Sequence, residues 1–310
     1  MPAFRRERLV IGLLVVAVAA AWFGVHTALD RTLEVTFLDV GQGDSILVRA
    51  PSGGSVLIDG GGRPGQTRTG WDVGRQVVVP ALLVAGVRRL DAVIATHCDA
   101  DHIGGLPAVL DEVPAGMLLC GGVPLGTATE QRLLASADEN GVKARDAVLG
   151  QVFHLGPGIR AAVLHPGPVP ITGTGADSNN NSVVLRLVYR EVSFLFTGDI
   201  EKPAQQALLS RGATLRSTVL KVPHHGADGA ALPAFDQAVR PALAVISVGA
   251  TNRYGHPGEE ALSALRATGA HVLRTDVSGA ILVKSDGSDW RALAYREGRW
   301  RPAAKCSGRG

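Results

Sequence analysis

The chain has 310 residues, 46% of them hydrophobic and only 5% aromatic, with 39 glycines, which suits one large α/β domain or two small ones. A formal net charge of +3 is too small to argue by itself for a nucleic-acid partner. Three widely separated cysteines, Cys98, Cys120 and Cys306, are odd in number and exclude a disulfide-stapled scaffold.

Residues 1–30 differ in kind from the rest. Arg5, Arg6 and Arg8 precede a stretch from Leu9 to Leu29 that carries no charged side chain. A helix of about 20 such residues crosses a bilayer core. Arginines ahead of the span place the amino terminus in the cytoplasm and the remainder outside. A signal peptide cleaved near Ala19–Ala21 is the rival, but its apolar region is usually shorter. The reading is an uncleaved single-pass anchor followed by an extracytoplasmic domain over residues 31–290.

From Leu33 to Lys284 strands alternate with helices. Leu33–Asp39 is apolar and β-branched. Gly41-Gln42-Gly43 reads as a tight turn because glycine tolerates positive φ. Ser45–Arg49 and Ser55–Asp59 complete an antiparallel meander. Gly60-Gly61-Gly62 opens a loop to about Gly74, and Arg75–Val87 reads as an amphipathic helix despite Pro80. Ala92–Ala95 is a short buried strand, and Leu106–Leu110 starts a helix. Between these two lies Thr96-His97-Cys98-Asp99-Ala100-Asp101-His102-Ile103-Gly104-Gly105, which puts four potential metal ligands in six residues of one strand-to-helix loop. His97, Asp99 and Asp101 share one parity, so an extended backbone aims them at one point, and His102 follows on the turn. Imidazole and carboxylate together suit zinc, manganese or iron. Cys98 alternates with them and reads as a structural thiol facing away.

Glu130–Asn140 is a further helix closed by Gly141. Strands follow at Arg160–Leu164, Ser182–Tyr189, Val192–Thr197, Thr218–Val222, Leu243–Val248, His271–Leu273 and Ala280–Val283. Helices are read at Pro203–Ser210, Leu232–Ala238 and Gly258–Ala267, and Pro168–Asn181 is a surface loop. Residues 291–310 are basic and read as a flexible tail. Interleaved strands and helices give an α/β class.

The spacing H-x-D-x-D-H-I-G-G resembles the metallo-β-lactamase superfamily signature H-x-H-x-D-H, with Asp99 in place of its second His. Together with Phe37-Leu38-Asp39-Val40-Gly41-Gln42-Gly43-Asp44-Ser45, it is similar to the extracytoplasmic hydrolase domain of the ComEC family of DNA-uptake channel proteins. The resemblance covers roughly Leu33 to Lys284. It implies the four-layer αβ/βα sandwich, with the metal site at the strand ends between two sheets.

Further positions match that family. Asp199 in Thr197-Gly198-Asp199 corresponds to its Gly-Asp motif, whose carboxylate bridges two metals; it also fits a helix N-cap. The pair His224-His225, after Leu220–Pro223, corresponds to a motif supplying a ligand, and which of the two ligates stays open. Many superfamily members place another His ligand between the first cluster and Gly-Asp. His154 and His165 fall in that interval, His165 the better placed, whereas ComEC-like chains carry an Asn-Ser pair, here Asn181-Ser182, suited to orient a phosphate or cap the loop. Asn252-Arg253-Tyr254-Gly255-His256-Pro257 matches N-x-Y-G-H-P. Asn252 and Tyr254 are then substrate contacts, and His256 donates a proton or holds a phosphate oxygen, or is a loop His before a helix. Asp59 corresponds to the superfamily's first-motif Asp, which orients the metal loop, and Asp44 is placed to do likewise.

The implied cofactors are two divalent ions, zinc or manganese, held by His97, Asp99, Asp101, His102, Asp199 and His224 or His225. Asp99 makes one position harder and moves preference towards manganese. Asp101 and His256 are the implied catalytic residues. The implied reaction is phosphodiester hydrolysis by activated water with no protein nucleophile, degrading one DNA strand outside the cytoplasmic membrane during uptake in competence. Lys221, Arg253 and the basic tail are placed to contact phosphates. A small-molecule or wall-polymer phosphodiesterase or esterase would use the same site. A channel-associated DNA-binding scaffold with a vestigial site is the non-enzymatic alternative. A complete ComEC protein has a multi-helix channel, so transport here needs a separate or fused channel partner within the competence machinery.

Overall fold

The computed structural model describes residues 32–63 and 70–306, and Gly12 singly. Strands in it build two sheets in three blocks of sequence. The first six are β1 (Leu33–Phe37), β2 (Ile46–Arg49), β3 (Ser55–Ile58), β4 (Ala92–Ala95), β5 (Leu118–Cys120) and β6 (Ala144–Asp146). The next seven make the second sheet: β7 (Val152–His154), β8 (Ile159–His165), β9 (Val184–Tyr189), β10 (Val192–Phe196), β11 (Val219–Lys221), β12 (Leu243–Ile246) and β13 (His271–Arg274). The chain then returns to the first sheet through β14 (Ile281–Ser285), β15 (Trp290–Arg296) and β16 (Arg299–Lys305). The orders are β16-β15-β14-β1-β2-β3-β4-β5-β6 and β13-β12-β11-β10-β9-β8-β7. Pairing is parallel from β3 to β6 and from β10 to β13, and antiparallel elsewhere.

Side-chain alternation explains the layers. In β1, Leu33, Val35 and Phe37 face the core between the sheets, which Ile159, Ala161 and Val163 of β8 enter from the other sheet. β4 is buried on both faces: Ala92 and Ile94 enter that central core, while Val93 enters a second core under the helices α1 (Val79–Val84), α2 (Ala100–Ile103), α3 (Leu106–Glu112) and α4 (Ala128–Glu139). A strand covered twice reads as continuous apolar sequence, as Ala92-Val93-Ile94-Ala95 does. A third core packs the second sheet against α5 (Lys202–Ser210), α6 (Pro233–Val239) and α7 (Glu259–Ala267). A short α8 (Thr275–Ser278) leads into β14. Helices, sheet, sheet and helices give the expected four-layer sandwich.

Three local expectations are corrected. The helix expected over Arg75–Val87 is a π-helical turn, Gly74–Val78, continuing into α1. Pro80 has no N–H to return to the preceding turn, and the hydrogen-bond register slips there, Val79 N–H reaching Gly74 O. β5, β6 and β7 were not legible, being three residues each without alternation. The basic end is not a flexible tail up to Lys305: residues 290–305 form the β15–β16 hairpin. Trp290, Ala292 and Ala294 alternate into the core, and Glu297-Gly298, both at positive φ, makes the two-residue turn that hairpins favour. The membrane segment expected at Leu9–Leu29 lies outside the described residues. Among the described residues no helix is long and apolar enough to cross a membrane.

Asp236 is buried on α6 with no hydrogen-bonding or ion-pairing partner for its carboxyl among the described residues. Burial pushes its pKa up to about 7. The folded protein therefore holds a proton that the unfolded chain releases between about pH 4 and 7, and stability falls as pH rises through that window. Asp236→Asn is expected to stabilise the fold near pH 8 by on the order of 2–3 kcal/mol and to make no difference below about pH 4. Denaturant titrations at the two pH values check this; an unchanged midpoint at high pH refutes it.

Candidate metal centre

The loops that follow β1, β3, β4, β10, β11 and β12 converge between the sheets at the carboxyl ends of the parallel strands, the usual location of α/β sites. β4 delivers the His97–His102 loop, β10 delivers Asp199, and β11 delivers His225. Each imidazole is oriented through its Nδ1. His102 Nδ1 donates to Asp59 Oδ2 at 2.8 Å. His225 Nδ1 donates to the Ser247 carbonyl at 2.9 Å. The Thr96 hydroxyl gives its proton to Asp59 Oδ2 at 2.7 Å, so at 3.1 Å from His97 Nδ1 it is the acceptor. All three rings thus present Nε2 inward. Among the described residues none of these three buried nitrogens has a hydrogen-bond partner. An imidazole whose Nδ1–H is held by an outer acceptor and whose Nε2 is bare is oriented as a metal ligand.

The carboxylates complete the set. Asp199 Oδ2 lies 3.2 Å from His102 Nε2 and 3.1 Å from His225 Nε2, without hydrogen-bond alignment. Asp101 Oδ2 is 3.4 Å from His225 Nε2, and Asp99 Oδ2 is 3.6 Å from His97 Nε2 at the rim. Among the described residues three groups share His102: His97, His102 and Asp199; Asp101, His102 and His225; and, on its Nδ1 side, Asp44, Asp59 and His102, the ligand atoms of each within 4.8 Å of one another. Orphaned buried nitrogens beside carboxylate oxygens fit divalent cations. Without a cation, burial alone would lower the two histidines, but Asp199 and its neighbours outweigh it, raising His102 well above its ordinary value and His225 to about 9. Burial alone would raise Asp199, but His225, His102 and Lys221 outweigh it and hold the carboxyl well below the carboxylate range.

Backbone strain marks the same place. Asp59, His224 and His225 all sit in the left-handed region, at φ 58°, 46° and 53°. Each costs on the order of 1–3 kcal/mol for a non-glycine residue, and such strain gathers at functional sites. Two glycines let other loops reach the metal loop: a Cβ on Gly43 would stand 1.9 Å from the Asp101 carbonyl oxygen, and one on Gly62 2.3 Å from that of Ala100.

Several residues do something other than expected. Lys221 does not face solvent phosphate. It is fully buried, pairs with Asp44, donates to Gly198 O at 3.0 Å and stands 3.3 Å from Asp199 Oδ1. Burial would lower its pKa, but the two carboxylates outweigh that and keep it charged. His224 turns away from the cluster towards Glu201 Oε1, at 3.3 Å, leaving His225 as the inward member of the pair. His165 is spent: Nε2 donates to Asn180 O at 2.8 Å, Nδ1 accepts from Arg211, and burial pushes its pKa down to about 4. His154 lies on β7, an edge strand distant in topology from the site. Asn181 pins its own loop through Ile171 and the Asp177 carbonyl. Ser182 Oγ accepts from the Asp199 amide at 3.3 Å and so positions that carboxylate. Asn252 uses its whole amide within the Gly249–His256 loop and so positions His256. Tyr254 is exposed and lies over His256, ring centroids 5.5 Å apart. His256 is half-buried, 6.5 Å from His225, and burial followed by the neighbouring histidines pushes its pKa down. Asp44 and Asp59 lie on the Nδ1 side of His102, Asp44 Oδ2 3.7 Å and Asp59 Oδ2 2.8 Å from that nitrogen. Cys98 faces away, towards Glu130, and burial pushes its thiol up to about 12. Thr96 was missed; its place between a buried strand and the first His was the available signal.

A family model described as the metallo-beta-lactamase superfamily matches residues 38–250. The chain is 35% identical over 269 residues to the ComE operon protein 3 of Bacillus subtilis (strain 168), covering 83% of this chain and 34% of that protein. It is 34% identical over 254 residues to the competence protein ComA of Neisseria gonorrhoeae, covering 81% of this chain and 32% of that protein. The chain therefore spans about a third of the length of these relatives. Among solved structures, the metallo-beta-lactamase fold protein YhfI from Bacillus subtilis aligns with a TM-score of 0.49 at 13% identity, over 83% of this chain and 100% of that one.

Proposed function

The chain belongs to the metallo-beta-lactamase superfamily as a ComEC-type metallo-hydrolase domain, and from this we propose that it is a metal-dependent nuclease acting on DNA during uptake. The observation that carries the reading is the convergence of three bare, buried imidazole nitrogens on Asp199 and Asp101. His97, His102, Asp199, Asp101 and His225, with Asp99 at the rim, would hold two divalent ions, zinc or manganese. The chemistry such a pair supplies is activated water and neutralised phosphate charge. The chain's own residues do the rest. Asp59 and Thr96 fix the rings, Ser182 and Lys221 fix Asp199, and Asn252 holds His256 at the mouth of the site. His256, neutral near pH 7, offers a ring N–H to a phosphate oxygen. Tyr254 offers an exposed ring beside it to a base. The names of the relatives support a place in competence. The arginines before Leu9–Leu29 support an anchor that leaves the hydrolase domain outside the cytoplasmic membrane, beside a channel supplied by another polypeptide or another part of a longer one.

The test is hydrolysis of labelled single- and double-stranded DNA by the detergent-solubilised full chain with added manganese, added zinc or a chelator. Expected is metal-dependent cleavage that the chelator and Asp101→Ala both abolish. A folded, metal-loaded protein that leaves DNA intact but cleaves small phosphodiesters would move the activity to small molecules. A folded protein that binds no metal would end both enzyme readings and leave the DNA-binding scaffold.

A further inference from the structure

We infer that the tip of the β15–β16 hairpin is a stacking platform for single-stranded nucleic acid that leads the strand to the metal centre; this rests on the nuclease reading above. Strand register places it. β1 ends at Phe37, from which the chain enters the site through Asp44. Phe37 pairs with Ile281 of β14, Ile281 with Ala294 of β15, and the next residue, Tyr295, with Trp300 of β16. The hairpin tip therefore lies at the same end of the sheet as the metal centre. Five to six strand spacings separate it from β4, which carries the metal loop, roughly 25–30 Å, a span of several nucleotides.

The chemistry of the tip suits a single strand. Tyr295 and Trp300 are 44% and 39% exposed, their ring centroids 5.1 Å apart in an edge-to-face pair. Large aromatic rings left on a solvent-facing strand pair offer flat surfaces on which unpaired bases stack, with little sequence preference. Cations lie near them, on the opposite face at the turn and farther along the same face, while Glu297 at the turn pairs with Arg301. Arg296 and Arg299 are direct cross-strand partners at the turn, an arrangement that repels in the absence of an anion. Arg296 reaches only the Ser278 hydroxyl, at 3.4 Å, and Arg299 has no hydrogen-bond or ion-pair partner among the described residues. Further along the same strands one register row runs Arg49, Glu34, Lys284, Arg291, Lys305. Its single carboxylate is shared by Arg49 and Lys284, which leaves Arg291 and Lys305 opposite each other. Such a stripe complements a polyanion. Exposed rings near the cations favour a single strand over a duplex, whose bases are already stacked.

The test uses the full chain in detergent with chelator present, so that nothing is cut. Fluorescence anisotropy of a labelled oligothymidylate is read for the Tyr295→Ala/Trp300→Ala double variant, Trp300→Phe and Arg299→Glu. The double variant is expected to bind at least about tenfold more weakly, Trp300→Phe to retain most of the affinity, and Arg299→Glu to weaken binding with a shallower salt dependence. With metal restored, all three should hydrolyse bis(p-nitrophenyl) phosphate like the wild type, because that ester needs the metal centre and no strand. Unchanged oligothymidylate affinity in the double variant overturns the inference, as does a loss confined to anionic phospholipid vesicles. A wild type that cleaves the small ester and leaves DNA intact refutes the nuclease reading alone, since the anisotropy result is independent of cleavage.

Discussion

Asp199→Asn is expected to lower phosphodiester hydrolysis by on the order of a thousandfold or more, equivalent to about 4 kcal/mol of transition-state stabilisation, and to reduce the metal bound per chain. The amide keeps the shape of the carboxylate but loses its charge and one acceptor oxygen. In the native arrangement Oδ2 sits 3.2 Å and 3.1 Å from the bare Nε2 atoms of His102 and His225, and Oδ1 is held 3.3 Å from Lys221. Asp44 also stands beside both histidines and the lysine, but on the Nδ1 side of the rings, 3.7 Å from each Nδ1, so among the described residues only Asp199 faces both bare Nε2 atoms and Lys221. The substitution should lower affinity most at low pH, where protons compete with the ion for the imidazoles. Metal analysis after dialysis and kinetics at saturating manganese separate loss of the ion from loss of its chemistry. Activity within tenfold of wild type, with full metal content, would remove Asp199 from the centre.

Lys221→Met should destabilise the metal-free protein by about 3–5 kcal/mol, the usual consequence of stripping one partner from a buried charge cluster. Lys221 is fully buried between Asp44 and Asp199. Methionine fills the stem but leaves two buried carboxylates facing each other. A divalent ion at the centre restores positive charge beside Asp199, so the deficit should shrink when metal is added, beyond the ordinary stabilisation that any ligand gives the native state. Urea unfolding of wild type and variant, each with chelator and with manganese, measures the four free energies. A deficit below about 1 kcal/mol in chelator, or one that metal leaves unchanged, contradicts the role given to the ammonium.

The spacing of His97, Asp99, Asp101 and His102, the Gly-Asp pair at Asp199 and the alternation of β1 are short-range signals, readable because strand parity and strand-to-helix loops are local. From them the sequence by itself determined the α/β class, the sandwich through its family resemblance, and the position of the centre. The hairpin of residues 290–305 was equally local, with Trp290, Ala292 and Ala294 in alternation before Glu297-Gly298, but its charges masked the pattern.

Roles that depend on a distant neighbour were decided only by the tertiary structure. Lys221 ends β11 as a lysine at a strand end often does, and only the arrival of Asp44 from the β1–β2 loop makes it a buried counter-ion. His224 and His225 are indistinguishable as letters; two consecutive left-handed residues turn one ring to Glu201 and the other to Asp199. His165, Asn181 and Asn252 carried the right chemistry for a site, yet backbone groups in their own loops and Arg211 had already taken their hydrogen bonds. A side chain's type states what it can bind; burial and hydrogen-bond satisfaction, which arise from packing remote segments together, leave only some of those capacities free.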